Sequence, residues 1–508
     1  MDNQTVIAKN TLFLYIRMIL VTLIALFTSR VVLRVLGVDD FGVYQAVCGV
    51  VSLLAFMNTA LSGGSSRFIT VSLGLNDFEK LKKTFSSILV IHFILGLIVV
   101  VVAETFGLWF VFNKLSIPLN RLDSSIVAYH FSVIMIFFSI VQVPYCASIL
   151  AHEKMNVFAY AGVVEVVLKL LMVYMLQIGS VDRLKLYAML LCFVQIGMIL
   201  FYKGYCARKF PETKCRFVFD RNVVKSVLGY TGWNLLTNVT SAFVLHGFTI
   251  LTNMFFNSGV VAARVIANQV SSAANQLVVN FQQAANPQIL KKFAMGDIYG
   301  SKNLLIVATQ VSFYLMLLLC LPIYLCAETL LKLWLGFAPE YSVAFLKLAI
   351  ATSLFMVFSQ SFYIALQAKG RIKENAIYIS SFHLLLIASV YVLFSIGCSP
   401  VSLAWGILFE EAFFGLFLKP LIVVKVVGYG WRDFGNVFWP CLKVSLCAIP
   451  IPLVLFNVFE SIGCNEYAVF AVIVLLSVLS VCVSVWLWGL NAELKAFIRF
   501  KIKSIIKR

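Results

Sequence analysis

The sequence predicts an all-α, polytopic membrane protein of about 14 transmembrane helices, and three observations carry that prediction. Apolar residues fill 61% of the 508 positions, against roughly 45 to 50% in an ordinary globular domain. Fourteen apolar stretches of spanning length follow one another along the chain. Between them the lysines and arginines fall on every second connection: 29 of the 40 lie on one side, 7 on the other, and four inside apolar stretches. A mean hydropathy of +0.97 excludes a soluble reading. The net charge of +18 sits in juxtamembrane clusters that alternate in side, so the positive-inside rule accounts for it and nucleic acid is not an expected partner.

The spans are expected at 12–36, 41–62, 84–108, 125–148, 157–178, 184–205, 228–252, 258–286, 304–327, 343–367, 374–396, 401–424, 437–458 and 466–490. Asp2 and Lys9 precede an apolar run to Leu36 with no small-residue cleavage site, so the first reads as an uncleaved span. Basic residues cluster after the second span (Arg67, Lys80, Lys82, Lys83), after the sixth (Lys203 to Lys225) and after the eighth (Lys291, Lys292, Lys302). They recur after the tenth (Lys369, Arg371, Lys373), after the twelfth (Lys419, Lys425, Arg432, Lys443) and in the tail, so both termini are expected in the cytoplasm. The opposite connections are short and nearly neutral, the longest being about Trp109 to Ser124. The longest polar connection divides the chain into an N-terminal six-helix lobe (1–205), a cytoplasmic linker (206–227), a second six-helix lobe (228–424), and two further helices with a basic tail (425–508).

Ionisable side chains inside apolar spans are functional-site candidates. On the eighth span Arg264, Asn268, Ser271, Asn275, Gln282 and Asn286 share one helix face, and Gln269, Ser272, Gln276 and Gln283 widen it. The seventh span echoes this with Asn234, Asn238, Ser241, Thr249 and Asn253. Such helices line water or pack on polar partners. Arg17 lies inside the first span and Arg30 with Arg34 near its outer end. Always charged and bidentate toward phosphate, guanidinium groups suit an anionic headgroup, while Arg30 and Arg34 can equally snorkel or pair with Asp39 and Asp40. Glu165 and Lys169, four residues apart on the fifth span, read mainly as a neutralising pair, with a relay as the other reading. Glu410 and Glu411 point about 100° apart, and either can face a cavity. His92, His130, His246 and His383 lie on separate spans without ligand spacing, so no metal site is expected. No C-x-x-C pair occurs among the twelve cysteines, which are expected reduced. The absence of a G-x-x-x-x-G-K-[ST] loop argues against ATP hydrolysis by this chain.

Leu36-Gly37-Val38-Asp39-Asp40-Phe41-Gly42-Val43-Tyr44 joins the first two spans, and Leu331-Lys332-Leu333-Trp334-Leu335-Gly336 is followed by Pro339 and Tyr341. With His152-Glu153-Lys154-Met155 after span four and Asn286-Pro287-Gln288 after span eight, the chain resembles, over nearly its whole length, a known family. These are the Wzx-like polysaccharide and O-antigen flippases, Bacteroides-type, of the multidrug/oligosaccharidyl-lipid/polysaccharide (MOP) superfamily. The first segment is similar to that family's L-G-x-x-x-[FY]-G-x-Y signature.

The resemblance implies two six-helix lobes in a V, as in multidrug (MATE) and lipid II flippase (MurJ) proteins, around a cavity lined by spans one, two, seven and eight. It implies a non-enzyme of the bacterial inner membrane that moves undecaprenyl-pyrophosphate-linked sugar repeat units outward by alternating access. Arg17 and Arg264 stand on the helices that carry the cavity arginines of lipid II flippases. No cofactor is expected; the membrane potential or an H+ or Na+ gradient supplies the drive. The partners implied are the lipid-linked oligosaccharide, membrane lipids and polysaccharide polymerase machinery. Of the alternatives, a cation-coupled multidrug efflux transporter of the same superfamily would want an acidic cavity. A polymerase or ligase would want a long outer loop rich in His and Arg, which is lacking.

Overall fold

A computed structural model describes residues 3–55, 57–58, 62, 65, 68–69, 72–73, 78–152, 154–176, 182–214, 239, 243–371, 373–490 and 495, with side chains from Leu20 onward at all but a few helical positions. Every regular element among them is helical. Helix α1 (Asn3–Leu36) reverses at Gly37 into α2 (Val38–Leu53), the two axes meeting at 115°. Gly37 makes that corner because its φ of +85° suits a residue without Cβ. Then follow α3 (Phe78–Lys114), with a π-helical turn at Ala103–Gly107, α4 (Leu122–Ala151), α5 (Met155–Met175) and α6 (Arg183–Lys209). A second π-helical turn, Phe243–Gly247, leads into α7 (Phe248–Phe255), followed by α8 (Ser258–Ala294). Next come α9 (Ile298–Leu325), α10 (Ala327–Leu335), α11 (Ser342–Lys369) and α12 (Lys373–Ser395). Helix α13 runs from Ser402–Phe413 through a π-helical turn into Lys419–Val427, and α14 (Trp431–Ala448), α15 (Pro450–Ile462) and α16 (Glu466–Ser484) complete the order.

Among the described residues nine helical stretches are long and apolar enough to cross a membrane, ten if the pair bent at Gly37 counts as one. These cover the expected spans three to six, nine to eleven, thirteen and fourteen, with the bent pair standing at spans one and two. The shortfall against fourteen has local causes. Most of 228–242 lies outside the described residues. Helix α8 is long at 37 residues but polar along one face, and α13 carries Glu410, Glu411, Lys419 and Lys425. The lipid-facing character is visible on α16, where Leu475, Leu479 and Val483, four residues apart, are 64%, 60% and 55% exposed.

The chain divides into two compact units, Met1–Val265 with His383–Pro400, and Ile266–Phe382 with Val401–Arg508. In the first, α4 packs on α6, α3 and α2, and α1 packs on α5. Its core gathers Val43, Val47, Tyr129, Ile140 and Leu184, and a second cluster joins Phe85, Ile88, Tyr145 and Met198. In the second unit α9 packs on α11, α14 and α16. Phe358 stacks on Phe313 and meets Phe438 edge-on, both at 5.1 Å, and Phe362 meets Phe434 at 5.0 Å.

At the connections of the first unit, the Arg121 guanidinium donates to Asp40 Oδ1 at 2.7 Å and to Asp182 Oδ2 at 2.6 Å, and Arg183 donates to the Val35 carbonyl at 3.0 Å. One cation thereby ties the starts of α2, α4 and α6. Partial burial raises the Asp182 carboxyl, but the Lys185 N–H and the Arg121 guanidinium outweigh it and hold it below the usual carboxylate range. A depressed folded value means stability that is present above the unfolded pKa and lost as pH falls through the folded one. Arg121→Ala is therefore expected to lower the Tm of the detergent-solubilised protein at neutral pH, and to lower it less in acid. Equal losses at both pH values would refute the clamp.

Candidate functional site

Arg264 lies six residues into α8, about 9 Å along the axis at 1.5 Å per residue. Its side chain is 5% exposed, donates to Thr249 Oγ1 at 2.7 Å, and stands 5.9 Å from the centre of the Phe248 ring. No carboxylate among the described residues pairs with it. Both neighbours come from α7, which is itself pinned: the fully buried Asn253 accepts the Ser116 backbone N–H at 3.0 Å, and the Thr252 hydroxyl donates to the Phe248 carbonyl at 2.7 Å. The start of α8 is fixed by Asn257, whose side chain accepts the Val260 N–H at 3.0 Å, and by the Ser258 hydroxyl, which donates to Asp39 at 3.3 Å. A buried cation is tolerated when it is paired or awaits a counter-charge. Arg264 has a hydroxyl and a ring, which can orient a charge but do not neutralise it.

The other basic groups of the spans differ. Lys169 donates to Glu165 at 2.6 Å, and both side chains are part-exposed. The geometry is that of a self-neutralising pair. Swapping the two residues (Glu165→Lys with Lys169→Glu) is expected to keep most expression and some transport, while either single reversal loses both. A swap that expresses fully yet transports nothing would argue for a direct role. Lys347 stands 5.8 Å from the Tyr324 ring. Arg30 is half-buried and Arg34 exposed, and the acids beside them are otherwise engaged, Asp40 by Arg121 and Asp39 by Ser258. Arg17 is placed in α1 with its side chain outside the described residues, and Asn234 and Asn238 lie outside them altogether.

The polar stripe of α8 is partly spent on packing. Ser271 meets Ser353 Oγ at 3.0 Å, Asn275 donates to the same oxygen at 2.8 Å, and Gln282 donates to Ser361 at 3.0 Å, all on α11. Ser271 and Gln282 are buried, Asn268 and Asn275 half-buried, and Ser272 exposed.

Three features escaped the sequence. Lys419, counted there as juxtamembrane, is 4% exposed and 5.2 Å from the Tyr363 ring. His130 Nδ1 stands 3.0 Å from Glu104 Oε1, and Glu104 belongs to the π-helical turn of α3. Neither has a signal in local spacing, since 26 residues separate the pair. The π-helical turns likewise have no sequence signature. Among the described residues no cluster of three or more His, Cys, Asp or Glu can hold a metal ion.

No protein-family model matches the sequence, and no curated protein does. Solved structures do match. The lipid II flippase MurJ in an inward closed conformation superposes with a TM-score of 0.69 over 94% of this chain and 98% of its own, at 13% identity. A multidrug resistance MATE family transporter of the MOP superfamily, inward-facing, gives 0.67 over 80% and 96%, at 14% identity. A MOP superfamily transporter from Pyrococcus furiosus Vc1, described as having a binding pocket of reverse polarity that suggests a different function, gives 0.54 over 83% and 97%, at 14% identity. The fold is thus that of the MOP-superfamily transporters, a multi-pass helical membrane architecture. The structures it resembles here are transporters and a flippase.

Proposed function

We propose that this chain is a flippase that carries undecaprenyl-pyrophosphate-linked oligosaccharide repeat units across the bacterial inner membrane by alternating access, for surface polysaccharide synthesis. The observation that carries the reading is Arg264: a buried guanidinium with no acidic partner among the described residues calls for an anion, and a pyrophosphate offers paired oxygens to its fork. A cation-coupled efflux pump would need the opposite charge there. The likeness to MurJ over 94% of the chain is compatible with this reading as a matter of fold.

In this reading Arg17 receives the headgroup toward the cytoplasm and Arg264 later toward the outside. Asn268, with Asn234 and Asn238, meets the sugars, Ser271 and Asn275 do so only when released from their contacts with Ser353, and Arg30 and Arg34 extend the cationic path. Outward movement of net negative charge is favoured by about 2.3 kcal/mol per charge per 100 mV of inside-negative potential, which an H+ or Na+ gradient can supplement. Membrane lipids and the polysaccharide polymerase machinery are the partners. The test is expression in a strain that makes the lipid-linked units but lacks its flippase. Restored surface polysaccharide supports the reading; raised resistance to cationic dyes without polysaccharide would favour efflux. The alternation of basic residues puts both termini in the cytoplasm on this reading, so reporter fusions within 206–227 and at the tail should both read cytoplasmic, and a periplasmic signal from either would overturn that topology.

A further inference from the structure

One residue along α7 from the partner of Arg264, the chemistry changes to carbon. A cavity of about 470 Å³ in the first unit is walled by Leu53, Phe106, Phe110, Ile250, Leu251 and Met254 among others, from α2, α3 and α7. Among the described residues the only hydroxyl on its wall, that of Tyr129, is already donated to the Ala103 carbonyl at 2.6 Å. Water there would lack the two to four polar partners that hold a buried water, so the natural filling is apolar.

Both π-helical turns of this unit border the cavity, through Ala103, Phe106 and Gly107 on one and Phe243 and Gly247 on the other. Such turns give up regular hydrogen bonding and recur at functional sites. A Cβ on Gly107 would lie 2.2 Å from the Tyr129 hydroxyl, so a side chain there would displace the Tyr129 ring. The partner of Arg264 and a residue of the cavity wall are consecutive on α7. Thr249 holds Arg264, Ile250 lines the cavity, and a Cβ on Gly49 would touch both at 3.9 Å, while the next residue, Val50, is itself on the wall. An anionic point and an apolar chain therefore find complementary seats side by side, within one turn of α7.

That combination selects among lipids. The headgroup of an ordinary phospholipid stays at the interface, whereas Arg264, buried and inside the eighth apolar stretch of the sequence, calls for an anion drawn into the span with its chain attached. We propose that this cavity seats the polyisoprenyl chain of the carrier, the isoprene units next to the phosphate lying between the α3 and α7 π-helical turns while Arg264 holds the phosphate. The assignment rests on the flippase reading above and adds a chain subsite to it.

The experiment uses the full-length protein in nanodiscs of palmitoyl-oleoyl phosphatidylcholine, with three probes: undecaprenyl phosphate, palmitoyl-oleoyl phosphatidic acid and inorganic pyrophosphate. Leu251→Trp, which fills the cavity, is expected to weaken undecaprenyl phosphate at least tenfold while leaving competition by pyrophosphate unchanged. Arg264→Ala should weaken both. If Leu251→Trp fails to fold by size-exclusion chromatography, Met254→Phe carries the same test. Undecaprenyl phosphate bound as well by the filled variants as by the wild type overturns the chain subsite alone, and leaves the flippase reading standing. Phosphatidic acid competing as well as undecaprenyl phosphate overturns it too, since the cavity would then be a groove for any acyl chain. A wild type that binds neither undecaprenyl phosphate nor pyrophosphate removes the flippase reading, and this inference with it.

Discussion

Arg264→Ala is expected to abolish export of surface polysaccharide while leaving the protein about as abundant as the wild type. The two halves of this expectation come from the same geometry. An unpaired charge in a span costs about 2.5 to 3.5 kcal/mol to insert, and the compensation visible in the structure is one hydrogen bond to Thr249 and a ring at 5.9 Å. A hydrogen bond from a charged group is worth about 1.5 to 3 kcal/mol, and a cation over a ring about 0.5 to 2 kcal/mol. Replacing Arg264 by alanine removes a cost comparable to what it forfeits, so folding should change little. On the flippase reading, what is lost is the counter-charge for the headgroup. Arg264→Lys keeps the charge but not the planar fork, so it cannot hold Thr249 and two phosphate oxygens together, and at least a tenfold loss of flipping is expected. The measurement is complementation of a flippase-deficient strain with polysaccharide and protein quantified in the same cells. Normal polysaccharide from the Arg17→Ala, Arg264→Ala double variant would place the headgroup site elsewhere.

How far this site could be read without coordinates depends on the range of each interaction. Helical periodicity put Arg264 and the stripe of α8 on one face, because that period is a local property of the chain. It also gave the Glu165–Lys169 pair, which is closed by a single helical turn. What faces a helix is not local. Nothing near Ser271 announces Ser353, 82 residues away, and so the α8 stripe could not be divided in advance between packing and lining. The same holds for the acids at the first corner. Asp39 and Asp40 stand close in sequence to Arg30 and Arg34, yet they are claimed by Ser258 and by Arg121, 219 and 81 residues away. The fourteen-span pattern was legible where spans are apolar, and least so at α8 and α13, where polar and charged side chains interrupt the signal.

Gly42→Ala, which adds one methyl group, is expected to destabilise the fold markedly. Gly42 belongs to the Phe41-Gly42-Val43-Tyr44 segment and lies in α2, against the first turn of α8. A Cβ built on it would sit 1.9 Å from the Ser258 carbonyl oxygen and 2.6 Å from the carbonyl carbon. Both are backbone atoms, and Ser258 is further held through its hydroxyl to Asp39 at 3.3 Å, so no side-chain rotation relieves the clash. Either α2 or the start of α8 must move, and the start of α8 leads to Arg264. Overpacking of this kind costs about 1 to 3 kcal/mol, occasionally more, and each 1.4 kcal/mol is about tenfold in the folded-to-unfolded ratio. That ratio should therefore fall about tenfold or further, read as a lowered Tm and a reduced folded yield by fluorescence-detected size exclusion. Gly435→Ala is the matched control: it lies inside α14 with nothing within 4 Å of an added Cβ, and helix propensity alone predicts a gain of up to about 1 kcal/mol. Because glycine brings no chemical group to a substrate, a Gly42→Ala protein that folds at wild-type yield and Tm yet fails to transport would contradict the packing account and point to motion of α2 against α8 instead.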